Sequence, residues 1–358
     1  MTLQRRKRRR LRCIAKGIES LLTSSAQGDP LDQRGFGVRD YVERTVPGYS
    51  EVQFKEHFRM YRPTFEMLYN FTRAKVKENT NRVPLRMKML MTLWLMGNQE
   101  SYRGVADRFG VNRGTLHYIV EQMVVAWQQR AGELIMWPQD IQQVAQAFFT
   151  KWKFPGVVGA VDGSHIEIKA PKEEQWAYYN RKDVHSVIIQ GCCDAEMCFT
   201  HVFIGKPGRM HDARVFAASG LEEILGTLPP ENHVLGDSAY PLRSYVMKPY
   251  RDSGHLTDAQ KRFNARLSSA RAVIERAFGR LKGKFRRLKY LDMSRMDLIP
   301  VLIGAACMLH NFILKNPSEL DDDDDDYEEP HREAVHSNDN EESDLTSEEK
   351  RDNIAACL

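Results

Sequence analysis

Three short runs in this 358-residue sequence place a carboxylate where chemistry, rather than solubility, would want one. In Val158-Gly159-Ala160-Val161-Asp162-Gly163-Ser164-His165 an aspartate interrupts a strand-like stretch of apolar residues. In His233-Val234-Leu235-Gly236-Asp237-Ser238-Ala239-Tyr240 a second aspartate ends a similar stretch, directly after a glycine. In Ala272-Val273-Ile274-Glu275-Arg276-Ala277-Phe278-Gly279 a glutamate sits about 100° around a helix from the apolar stripe, on the border of core and surface. A carboxylate withdrawn from water is costly unless it is paired or bound to a metal. Asp162 and Asp237 at the ends of neighbouring strands, joined by Glu275 from a covering helix, would form an oxygen-only site suited to Mg²⁺ or Mn²⁺. Two such ions about 4 Å apart activate a water or a sugar hydroxyl and stabilise the leaving oxygen of an in-line phosphoryl displacement. The implied substrate is a phosphodiester. Each carboxylate alone also has an ordinary role open to it: Asp162 in a turn before Gly163, Asp237 as a helix cap, Glu275 paired with Arg271 one turn back.

The elements that must position these groups can be read from periodicity. Val157 to Ile168 is β-rich, Ser186–Cys193 and Met197–Gly205 form a hairpin around Asp194-Ala195-Glu196, and Asn232–Ser238 is a further strand. His211–Leu225 reads as a helix. Thr257–Leu288 reads as a long one, with Leu267, Ala270, Ile274, Phe278, Leu281 and Phe285 as its buried stripe. An apolar helix over Leu298–Leu314 closes an α/β layer of mixed parallel and antiparallel pairing. Ahead of it, Phe54, Phe58, Tyr61, Phe65, Leu68 and Phe71 recur at helical spacing, and Met87–Met96 is another apolar helix. Ser101 to Val120 then has the pattern of a helix-turn-helix, whose second helix would present Arg113, Thr115 and His117 to a major groove. A plain helical bundle fits the same spacing.

The formal net charge is only +4, but charge of opposite sign collects at opposite ends. The first 16 residues carry +8, including the run Arg5, Arg6, Lys7, Arg8, Arg9 and Arg10, which reads as a nuclear-import signal or a nucleic-acid arm. Residues 319–352 carry −14, which leaves +10 on the body between. Part of that charge lies on Arg271, Arg276, Arg280, Lys282, Lys284, Arg286 and Arg287, a candidate DNA-backbone track beside Glu275. Arg181 and Lys182, next to Tyr178 and Tyr179, combine cations with aromatic faces as a DNA groove would. No stretch approaches the roughly 18–20 apolar residues of a bilayer span, and the N-terminus has no apolar leader, so a membrane or secreted protein is not expected. Six cysteines without a CxxC pair argue for reduced thiols rather than disulfides or structural zinc. The expected organisation is a basic arm and linker at 1–48, a helical DNA-binding domain at 49–150, a catalytic domain at 151–316 and an acidic disordered tail at 317–358.

From about Phe54 to Leu314 the sequence resembles the PIF/Harbinger transposases and their domesticated nuclease relatives, which are DDE superfamily endonucleases. The resemblance rests on Val-Asp-Gly-Ser-His-Ile at 161–166, Tyr179-Asn180-Arg181-Lys182 with His185-Ser186, Gly208 with His211-Asp212, Leu235 to Leu242, Ile274 to Gly279 and Leu309-His310-Asn311. It implies an RNase H-like catalytic domain with a mixed sheet. Asp162, Asp237 and Glu275 would then be the catalytic carboxylates, and Asp212 a further metal ligand. His310-Asn311, on an apolar helix, reads as a structural hydrogen-bonding pair. The expected activity is Mg²⁺- or Mn²⁺-dependent DNA cleavage and strand transfer in cut-and-paste transposition, with two ions. The other reading is a catalytically silent DNA-binding adaptor derived from a transposase. The resemblance also implies transposon-end and target DNA as ligands, a Myb/SANT-like partner protein, at least a homodimer on DNA and a nuclear location, with cytoplasmic residence until import or partner binding.

Overall fold

A computed structural model of the chain describes residues 40–76, 83–320 and 345–358. The basic run at Arg5–Arg10, the linker near 24–36 and the acidic run Asp321–Asp326 lie outside the described residues.

After short helical turns over Tyr41–Thr45 and Val46–Gly48, the described chain runs through helices α1 (Glu51–Phe58), α2 (Arg62–Arg73), α3 (Leu85–Gly97), α4 (Tyr102–Arg108), α5 (Arg113–Gln129) and α6 (Ile141–Trp152). Their starts follow local chemistry. Ser50 and Gln53 close a capping box on α1, Ser101 caps α4, and the Asn112 side chain accepts from the Thr115 N–H at the head of α5. An α/β unit follows: β1 (Val157–Ile168), the short α7 (Gln175–Tyr178), β2 (Ser186–Cys193), β3 (Phe199–Pro207), α8 (Asp212–Ser219), α9 (Leu221–Leu225), β4 (His233–Leu235), β5 (Val246–Met247), α10 (Asp258–Lys284), β6 (Tyr290–Leu291) and α11 (Ile299–Lys315). The sheet order is β3-β2-β1-β4-β5, with β6 paired to the far end of β1. β1, β2 and β3 are antiparallel neighbours, whereas β4 runs parallel to β1 and β5 parallel to β4. This mixed sheet behind a helical N-terminal region is the RNase H-like arrangement. The helix expected over 211–225 is broken at Gly220, whose φ of +77° ends α8 and starts α9.

The two faces of the sheet have different covers. Ala160, Ile189, Cys193 and Leu235 belong to the large apolar cluster that also contains the α10 and α11 stripes. Val161, Cys192 and Val234 pack instead with Phe216, Leu221 and Leu225 of α8 and α9. The residues read as the stripe of the long helix are all buried, but the helix ends at Lys284 and a 3₁₀ turn carries Arg286–Lys289. α11 is buried on nearly every side, as an all-apolar helix must be. Its Asn311 accepts from the Phe199 N–H (2.8 Å) and donates to the carbonyls of Phe199 (2.7 Å) and Leu134 (3.1 Å). His310 bonds the Met197 carbonyl at 2.9 Å, and burial pushes its pKa down to about 4. The pair is a structural hydrogen-bonding pair, as its place on an apolar helix suggests.

Two expectations about organisation change. The helical segment is not a separately cored module: Leu116, Ile119, Val120, Met123 and Trp127 of α5 share one apolar cluster with α11, because α11 has one side for the sheet and another left for α5. The C-terminal segment expected to lack structure ends in a helix, α12 (Leu345–Cys357), docked on the α/β unit. Lys350 donates to the carbonyls of Asn232 (3.0 Å) and Ser244 (2.6 Å), the Tyr250 hydroxyl donates to Asp352 (2.6 Å), and Arg351 lies over the Tyr250 ring. Ala355 is buried. Its anchors are mostly polar, which hid it within an acidic sequence. Deleting residues 345–358 is expected to lower the melting temperature by about 5 °C, since several hydrogen bonds and a buried patch are lost together. An unchanged melt would show that α12 does not hold the fold.

Candidate active site

The strand register brings the first two carboxylates together. β1 and β4 pair in parallel with Ala160 opposite Leu235. Asp162 lies two residues further along β1, so period-two alternation returns it to the face of Ala160, beneath α10, and Asp237 lies two residues past Leu235, just beyond the end of β4. Asp237 leaves the strand in a tight turn, its carboxylate accepting from the Ala239 N–H at 2.9 Å. Asp212 comes from the head of α8. Its carboxylate oxygen stands 2.5 Å from where a Cβ on residue 163 would be, so Gly163 is required for Asp212 to reach β1.

Glu275 arrives from α10, and one guanidinium links it to β1. Arg271 donates to Asp162 Oδ2 at 3.0 Å and, one helical turn along, to Glu275 Oε1. The other oxygen of Asp162 accepts from the Gly163 N–H at 2.7 Å. Burial raises the Asp162 pKa to about 7. Asp237 and Asp212 add to the rise as like charges, while Arg271 and the Gly163 N–H oppose it. Tyr240 stays a neutral phenol, held well above its ordinary pKa first by burial and then by the charges of Asp162, Asp212 and Asp237. Asp162, Asp212 and Asp237 therefore share one electrostatic neighbourhood, to which Arg271 ties Glu275.

The loop before β2 is built rigidly against this site. His165 Nδ1 and Ser186 Oγ are 2.9 Å apart, buried Asn180 donates to Ser186 Oγ at 2.8 Å, and Asn180 Oδ1 accepts from the Lys182 N–H at 2.8 Å. Any side chain at Gly208 would collide with Ser186 Oγ and with the Tyr178 carbonyl. The loop leaves Arg181 and Lys182 exposed, with Arg181 reaching His211 at 3.1 Å, next to Asp212.

The expected cationic track on α10 is only partly a surface feature. Arg271 turns inward onto the carboxylates, and Lys282 donates to Ser164 Oγ (2.8 Å) and the His165 carbonyl (2.9 Å). Arg287 is buried and donates to the Glu100 carbonyl, whereas Arg276 and Arg280 are half-buried. Packing of β1 against α10 explains this, since positions one helical turn apart on that face lie over the strand. In the helix-turn-helix pattern, α4 and α5 are present and joined through Gly110. Thr115 is half-buried, while Arg113 and His117 are exposed but line a cleft of about 780 Å³ against Lys169 and residues 292–302. His117 stacks flat on Tyr102 with ring centroids 3.7 Å apart. Desolvation, with Arg113 and Arg287 nearby, holds its pKa below the usual value.

Sequence reasoning passed over three groups. Gln190 is wholly buried opposite Gly163, and its amide has no hydrogen-bond partner among the described residues; a polar residue inside Ser-Val-Ile-Ile-Gln-Gly was the signal. The Tyr240 hydroxyl is likewise buried and unpartnered. Trp176 is 67% exposed on α7, five residues ahead of Arg181, and nothing in its spacing marks it.

Among the described residues no three His, Cys, Asp or Glu side chains stand close enough to ligate one ion. The donor set nevertheless fits an oxygen-seeking divalent cation. It is oxygen-only, burial and then like charges raise the Asp162 pKa, and the Arg271 guanidinium stands in as the cation between Asp162 and Glu275.

Residues 161–311 match the family described as DDE superfamily endonuclease, and residues 36–129 match a domain of unknown function, DUF8040. The chain is 26% identical over 315 residues to a protein of Arabidopsis thaliana named ALP1-like, covering 81% of this chain and 76% of that protein. It is 26% identical over 309 residues to the Arabidopsis thaliana protein named antagonist of like heterochromatin protein 1, covering 78% and 77%. It is 32% identical over 228 residues to HARBI1 of Bos taurus, named as a candidate nuclease, covering 60% and 63%. No solved structure matches.

Proposed function

We propose that this chain, whose residues 161–311 match the DDE superfamily endonuclease family, cleaves DNA phosphodiester bonds at a divalent-metal site formed by Asp162, Asp237 and Glu275 with Asp212 beside them. The observation that carries this reading is the parallel pairing of Ala160 with Leu235, which sets Asp162 and Asp237, each two residues further on, at neighbouring strand ends, with Glu275 joined to Asp162 through Arg271 of α10. Divalent ions bound there would supply the charge that activates an attacking oxygen and stabilises the leaving one. The chain's own residues do the positioning. The Gly163 N–H fixes one Asp162 oxygen, Gly163 leaves room for Asp212, and the Asn180–Ser186–His165 network holds Arg181 and Lys182 outward for a phosphate backbone.

In its fuller form the proposal is cut-and-paste transposition: water releases a 3′-hydroxyl at a transposon end, and that hydroxyl attacks target DNA at the same carboxylates. At least two chains on DNA, a Myb/SANT-like partner and a nuclear location belong to this fuller form. A second reading, a silent DNA-binding adaptor, is favoured by the guanidinium already bridging Asp162 and Glu275. The test incubates the full chain with supercoiled plasmid carrying terminal inverted repeats, in Mg²⁺, in Mn²⁺ and in EDTA. Nicking that needs the metal is the expected result. DNA retention without nicking in either metal would select the adaptor.

A further inference from the structure

Arg271 is placed to do more than neutralise a helix surface. It contacts carboxylates from two elements of the site, Asp162 on β1 and Glu275 on α10, and its side chain is only 18% exposed. The contact to Asp162 is the long-range one, because Glu275 is Arg271's neighbour one turn along the same helix and would meet it in any fold. With the Gly163 N–H on Oδ1 and the guanidinium on Oδ2, both oxygens of Asp162 already have donors. A divalent ion shared by Asp162 and Glu275 must take the position that the guanidinium fills. Arginine has a long flexible stem and a planar fork that binds carboxylates directionally, so it can hold the pair and also leave it.

We propose that Arg271 is a resident cation that keeps Asp162 and Glu275 assembled in the metal-free protein and is displaced when a divalent ion binds. Arg271 is thus a positioning residue that competes with the metal. This inference rests on the proposed metal site. Its consequence is a pair of opposite effects: removing the guanidinium weakens the metal-free protein and strengthens metal binding. A residue of purely structural role would produce only the first.

The test is Mn²⁺ titration of the full-length protein by calorimetry and by thermal shift. Arg271→Met, which keeps the bulk of the stem, is expected to melt several degrees lower without metal and to bind Mn²⁺ about tenfold more tightly, because two carboxylates lose their internal cation. Arg271→Lys, whose single ammonium cannot fork between two carboxylates, is expected to shift both quantities the same way by less. Unchanged or weaker Mn²⁺ binding in these variants overturns the proposal. The unmutated protein supplies a second measurement. Phenylglyoxal should modify Arg271 several-fold faster with saturating Mn²⁺ than with EDTA, read by peptide mass spectrometry, and equal rates or protection by Mn²⁺ also overturn the proposal. If the unmutated protein binds Mn²⁺ and Asp162→Asn does not, the site is intact and these results judge Arg271 alone. If the unmutated protein binds no Mn²⁺, the metal-site reading falls with the inference.

Discussion

Asp162→Asn is expected to lower metal-dependent DNA cleavage by about a thousandfold or more while leaving the fold intact, because a site built on carboxylate charge loses its central ligand without losing shape. Asparagine keeps the volume and a carbonyl oxygen that can still accept from the Gly163 N–H. Arg271 keeps Glu275 as its partner, so no buried cation is left alone. The substitution also removes a carboxylate whose ionisation the fold opposes, so the metal-free protein should melt no lower at pH 8 than the unmutated one. Asp237→Asn and Glu275→Gln should reproduce the loss of cleavage. Asp194→Asn provides the contrast. Asp194 is also a carboxylate pushed upward by burial, but it sits at the β2–β3 turn and accepts from the N–H groups of Glu196 and Cys198, so cleavage should be unaffected there. Nicking rates read beside melting curves decide the matter. Cleavage by the Asp162 variant within tenfold of the unmutated rate would show that the chemistry lies elsewhere.

Mn²⁺ binding is expected to release a proton and to strengthen with pH up to about 7, then level off. Asp162 must be ionised to hold a cation, and its pKa stands near 7 rather than at the ordinary 3.8 because of burial and the charges of Asp237 and Asp212. One protonated ligand gives about one decade of affinity per pH unit below its pKa, so binding at pH 5 should be about fiftyfold weaker than at pH 7. The sign for stability is the reverse. The folded-state pKa is raised, so the favourable contribution is full below about pH 4 and is lost as pH rises toward 7. Calorimetry in two buffers of different ionisation enthalpy counts the proton. Affinity flat from pH 5.5 to 7, with no proton released, would mean that Asp162 is already ionised in the metal-free fold. Asp162→Asn should abolish the proton release in any case.

Much of the site could be read before the fold. Asp162 and Asp237 stand out because a carboxylate inside an apolar run is locally anomalous, and Glu275 because its helical phase can be computed. Their convergence could be expected only through the family resemblance, since no local pattern states which strands are neighbours. The structure supplies that through Ala160 opposite Leu235. Arg271 shows the limit from the other side. On a helical wheel it belongs to a row of solvent-facing cations, and only the packing of α10 over β1 turns it toward Asp162. Lys282 is reassigned in the same way, from a DNA track to Ser164 and the His165 carbonyl. α12 escaped notice because Lys350 is held by two carbonyls from distant segments, a kind of anchor that leaves no hydrophobic period.

What the sequence determined by itself is local: which residues carry carboxylates in apolar runs, which helix and strand faces must be buried, and where the strands begin. These follow from side-chain chemistry and from periods of 3.6 and 2, which every segment displays on its own. Tertiary structure alone decided the pairings. It set Asp162 beside Asp237, gave Asp212 the space left by Gly163, put one guanidinium between β1 and α10, and joined α5 to α11 in a single core. The reason is that a periodic pattern reports that a face is covered and says nothing of what covers it. The partner depends on strand register and helix docking, which are settled by contacts between segments far apart in the chain.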